Sequence, residues 1–117
     1  MELLRFDPSV SSHIDRHGSS FLHCVLSATR GPMLVSVMYL RPSDHVGRHD
    51  AVAPQLFAVI EGSGHVSGES GEDVEISAGQ AAFWSVGESH GAKTDIGMTA
   101  IVLEGASLNP RTTLRAL

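Results

Sequence analysis

Short apolar runs separated by glycine and polar clusters recur along the whole chain, a pattern of strands joined by turns. Runs rich in Val, Ile and Phe predict nine strands, at Glu2–Phe6, Phe21–Ala28, Pro32–Leu40, Gln55–Glu61, His65–Gly68, Val74–Ser77, Ala81–Ser85, Gly91–Thr94 and Met98–Glu104. Leu34-Val35-Ser36-Val37-Met38-Tyr39-Leu40 and Leu56-Phe57-Ala58-Val59-Ile60 are almost continuously apolar, as expected of strands covered on both faces or set in the middle of a sandwich. Helical periodicity is weak throughout, so no crossover helices are available for an α/β sheet. The expected class is all-β, an antiparallel barrel or sandwich.

Turn chemistry refines this picture. Glu61-Gly62-Ser63-Gly64 reads as a tight hairpin between two strands, because its glycines accept the positive φ such turns require. The polar, acidic stretch Ser67–Asp73 reads as an exposed hairpin end. The first twenty residues are irregular, and Leu108–Leu117, around the Asn109-Pro110 break, reads as a tail or short helix. No repeat, linker or low-complexity tract divides the 117 residues, so one domain is expected.

Composition narrows the functional classes. At 42% hydrophobic and 18% charged residues the chain can bury a core. Eight basic residues against thirteen acidic ones leave a formal charge of −5. With no basic cluster to neutralise a row of phosphates or lipid headgroups, neither nucleic acid nor a membrane surface is an expected partner. No stretch approaches the roughly 20 apolar residues needed to cross a bilayer, and the N-terminus does not read as a secretory leader. A single cysteine, Cys24, excludes an internal disulfide and a Cys-rich zinc site and suits a reducing compartment, so the expected location is cytoplasmic. Seven histidines are many for this length, and histidine is both the common metal ligand and the common acid–base group near neutrality.

Two segments, Gly47–Gly62 and Gly79–Thr94, resemble the paired motifs of the cupin superfamily. In the second, Gly79, Gly87 and His90 agree with the pattern, whereas Ser85 and Thr94 stand where proline and asparagine are usual. In the first, counting back from Gly62 puts Gln55 at the glutamate position, and a three-residue gap places the histidine pair on His49 and Ala51. The resemblance implies a double-stranded β-helix, or jelly-roll, over about residues 32–105, within a single cupin domain 1–117 that has an N-terminal strand segment 1–31 and a C-terminal tail 106–117.

The resemblance also implies a site for a divalent metal such as zinc, nickel, manganese or iron, held by His49, Gln55 and His90, with His45 and Asp50 as further donors. An amide in place of a carboxylate, and one imidazole fewer, lower the expected affinity. In a regular strand His45 faces the same side as His49 but sits roughly 13 Å away, so it would need a bend at Gly47. Arg48 points away in a regular strand, or inward across a bulge, where it would clamp a carboxylate; Phe57, Phe83 and Trp84 offer apolar pocket lining. Two functions follow as expectations. One is a metal-dependent enzyme such as a dioxygenase or isomerase; the other is a metal-free module binding a small sugar or organic acid. A barrel this small buries only about two-thirds of its chain surface, and its edge strands invite pairing, so a homodimer is expected.

Overall fold

The computed structural model describes residues 1–117. It contains eleven strands: β1 (Glu2–Arg5), β2 (Ser12–Ile14), β3 (Phe21–His23), β4 (Leu34–Leu40), β5 (His45–Asp50), β6 (Gln55–Ser67), β7 (Asp73–Ser77), β8 (Gln80–Trp84), β9 (Ser89–Lys93), β10 (Met98–Glu104) and β11 (Arg115–Ala116). Every pairing is antiparallel. One sheet runs β11-β1-β8-β6-β10-β4, and a second is formed by β7, β6, β9 and β5. The protein is a jelly-roll barrel made by folding these two sheets face to face.

β6 belongs to both sheets, and this corrects the expected hairpin. Its thirteen residues continue through Gly62-Ser63-Gly64 without reversing, pairing β8 and β10 with the first half and β7 and β9 with the second. Gly62 has φ of 78°, and a Cβ there would lie 2.1 Å from the Gly97 carbonyl oxygen. A Cβ on Gly64 would lie 2.3 Å from the Lys93 carbonyl oxygen. The glycines therefore serve a corner where backbones touch, rather than a turn.

The core has two layers. Between the sheets lie Phe57, Val59, Val66, Ile76, Trp84, Met98 and Val102 with smaller residues around them. On the outer face of the larger sheet, Leu4, Leu56, Phe83, Leu108 and Leu114 form a second cluster under the chain's two end segments. Strands β6 and β8 are thus covered on both sides, which accounts for the continuous apolar run Leu56–Val59. β4 is different: it is the edge of its sheet, and Val35, Val37 and Tyr39 are exposed, so its apolar run does not mark a central strand. The C-terminal segment forms a short 3-10 turn, Pro110–Thr112, and then pairs with β1 as β11.

Candidate functional site

The site is built where β5 and β9 face β6 and β10. In the register of β5 on β9, Val46 lies opposite Ala92 and His49 opposite His90. Gly47 and Arg48 therefore oppose the single residue Gly91, a bulge that inverts the in–out alternation beyond it. This one extra residue turns both Val46 and His49 inward. It also leaves His45 on the outer face beside Lys93, so His45 does not reach the cavity. Asp50, exposed and paired with Ser89, is likewise outside it.

Arg48 is not pocket lining. Its guanidinium donates to Ser67 Oγ at 2.7 Å, to the Gly68 carbonyl at 2.8 Å and to Ser89 Oγ at 3.0 Å, all on the outside of the barrel. Phe83 is also outside the cavity, because it alternates with Trp84 along β8 and packs in the outer layer beneath the Arg111 guanidinium.

Inside, His49, Gln55, Phe57, Trp84 and His90 line one cavity of about 100 Å³, together with Met38, Val46 and Glu104. The two imidazoles are adjacent, with ring centroids 4.4 Å apart, and His90 lies against the Trp84 indole at 4.6 Å. Trp84 is itself fixed by its indole N–H, which donates to the Ser67 carbonyl at 3.1 Å. His90 is buried, whereas His49 is exposed at the mouth. Nδ1 of His49 lies 2.8 Å from the Gly47 carbonyl, and Nδ1 of His90 lies 3.2 Å from the Glu88 carbonyl. A carbonyl only accepts, so in both neutral rings Nδ1 carries the proton and Nε2 keeps its lone pair. Burial holds the His90 imidazole below its ordinary pKa; the Glu88 carbonyl pulls the other way, and the neighbouring His49 lowers it further.

The opposite wall holds a residue absent from the expected set. Gln55 and Glu104 are register partners on β6 and β10, and the Gln55 side-chain amide donates to the Glu104 carboxylate. The signal for Glu104 is present in the sequence: Met98, Ala100 and Val102 alternate inward along β10, and Glu104 continues that face. No three His, Cys, Asp or Glu side chains converge closely enough to form a metal cage. The donor chemistry suits a cation all the same, with two free imidazole lone pairs on one wall and a carboxylate on the other. A larger open groove of about 430 Å³, around Ser63, His65, Glu75 and Asp95, lies away from these groups.

No protein-family model and no curated protein matches the sequence. Solved structures do match. An RmlC-like cupin from Shewanella frigidimarina superposes with a TM-score of 0.60 at 21% identity, over 64% of this chain and 67% of that one. A protein described as a predicted oxalate decarboxylase from Thermotoga maritima matches with a TM-score of 0.57 at 26% identity, over 65% of this chain and 66% of that one. Salicylate 1,2-dioxygenase from Pseudoaminobacter salicylatoxidans matches with a TM-score of 0.59 at 17% identity, over 73% of this chain but only 23% of the dioxygenase. The chain thus spans just under two thirds of the Thermotoga protein and about a quarter of the dioxygenase. The fold is the cupin barrel, and at these identities the likeness is one of architecture.

Proposed function

We propose that this cupin barrel binds a divalent metal ion together with a small polar ligand, with His49 and His90 as the imidazole donors. The observation that supports this reading is the commitment of both Nδ1 atoms to backbone carbonyls, which leaves two adjacent Nε2 lone pairs for the cavity. A bound ion would supply Lewis acidity toward a ligand oxygen or water. The chain's own residues do the rest. Trp84 and Phe57 keep water from the buried side, and His49 at the mouth offers the route of exchange. At about 100 Å³ the cavity has room for roughly three waters, so the ligand is an ion with its water, or a group of a few heavy atoms.

A second reading, a metal-free binding module, is favoured by the absence of three converging ligand side chains. In that case a hydroxyl compound suits the free Nε2 atoms and Glu104 better than an organic acid, whose carboxylate would face Glu104 with no cation between them. Metal analysis of protein purified without a polyhistidine tag, before and after chelation, separates the two. Roughly one equivalent, lost in His49→Ala and His90→Ala, is the expected result. Less than about a tenth of an equivalent under all metal supplements refutes metal binding and leaves the module.

A further inference from the structure

We propose that Glu104 is the counter-charge of this site, acting on the bound cation from across the cavity, and that Gln55 is the residue that positions it. The inference rests on the metal-binding reading and adds the anionic group which that reading lacks. Glu104 is half-buried, lines the same cavity as His49 and His90, and takes part in none of the protein's five ion pairs. A carboxylate partly withdrawn from water and facing a cavity without a cationic partner is held at a cost that a cation in the cavity offsets.

Gln55 is the partner that holds this carboxylate. It is 5% exposed, its amide is given to Glu104, and it sits in register between Trp84 on β8 and Glu104 on β10. A glutamate at position 55 would press two carboxylates together in this contact, whereas an amide orients the single one present. The cupin resemblance implies one carboxylate at position 55; in this chain the charge stands instead on the adjacent strand, and the amide follows from that displacement. Because no three ligand groups converge, Glu104 acts by charge across the cavity and not as a direct ligand.

The test is calorimetric titration of Co2+ into tag-free wild type, Glu104→Gln and the double variant Gln55→Glu/Glu104→Gln, with visible spectra of each Co2+ complex. Glu104→Gln keeps an acceptor for Gln55, so its thermal unfolding stays near wild type. Its Co2+ affinity falls by about tenfold or more, the effect of removing one opposite charge across a partly buried cavity, while the spectrum at saturation is unchanged. The double variant returns one carboxylate to the same contact and recovers most of the affinity. Wild-type affinity in Glu104→Gln overturns this inference alone and leaves metal binding standing. A changed spectrum overturns the outer placement, and a double variant as weak as Glu104→Gln overturns the role of the pair. Wild type that takes up no Co2+ removes the metal-binding reading, and this inference with it.

Discussion

The corner at Gly62 is what sets Gln55 across the barrel from His90, and it can be tested by comparing two glycines that share a backbone conformation but not an environment. Gly62 and Gly87 have φ of 78° and 82°. An alanine at either position carries the left-handed strain of an L-residue, roughly 1–2 kcal/mol. At Gly87 nothing lies within 4 Å of the added carbon, so the strain is the whole effect. At Gly62 the added carbon lies 2.1 Å from the Gly97 carbonyl oxygen and 3.1 Å from the Met98 Cα, which are backbone atoms that cannot rotate aside. Gly62→Ala must therefore shift β6 against β10, bringing the total to about 3–5 kcal/mol, a large share of the ~5–15 kcal/mol that holds a domain together. Trp84 is the only tryptophan and is buried, so urea unfolding followed by its fluorescence reads both variants. Equal losses in the two would refute the claim that the glycines of β6 form a contact corner.

Three further outcomes follow from the same geometry. Trp84→Phe removes the donor to the Ser67 carbonyl in the core and lowers stability by about 1–3 kcal/mol in urea unfolding; a loss no larger than that of an exposed substitution would contradict the anchoring role. In metal-free protein burial lowers the His90 pKa, so around and below its ordinary value of about 6.5 the unfolded chain binds more protons than the folded one. Stability should therefore fall as pH drops from 7.5 to 5, with a shallower fall in His90→Gln; identical slopes would count against a His90 pKa lowered by burial. The unpaired edge of β4, with Val35, Val37 and Tyr39 exposed, offers a pairing surface for the homodimer expected from the sequence. Light scattering at micromolar concentration should give a dimer that Val37→Lys dissociates, and a wild-type monomer would refute it.

Much of the fold was legible because alternation and glycine punctuation are local signals, and most of the expected strands recur with boundaries shifted by a residue or two. The misreadings share a cause. Gly62-Ser63-Gly64 has the composition of a hairpin, and only the approach of Gly97 and Lys93 from distant parts of the chain makes it a corner. β4 is apolar enough for a central strand, but its position at the sheet edge is a matter of topology. At the site, the motif spacing pointed to His49, Gln55 and His90, which the structure brings to one cavity. His45 falls outside it because the bulge inverts the alternation, and a bulge is defined by the facing strand, which no stretch of β5 records; Arg48, beside the inward-facing His49, stays outside in spite of the bulge. Glu104 lay on a readable inward face, yet its meaning depended on pairing with Gln55, forty-nine positions away.

Two imidazole lone pairs that meet in the barrel make the proposed cation site. Anomalous diffraction from crystals of tag-free protein soaked in Zn2+ tests it most directly. A peak is expected inside the barrel about 2.0–2.1 Å from Nε2 of both His49 and His90, and its loss in His90→Ala. Zn2+ found only at outer histidines such as His13, His45 or His65, with the barrel cavity empty of anomalous density, would contradict it.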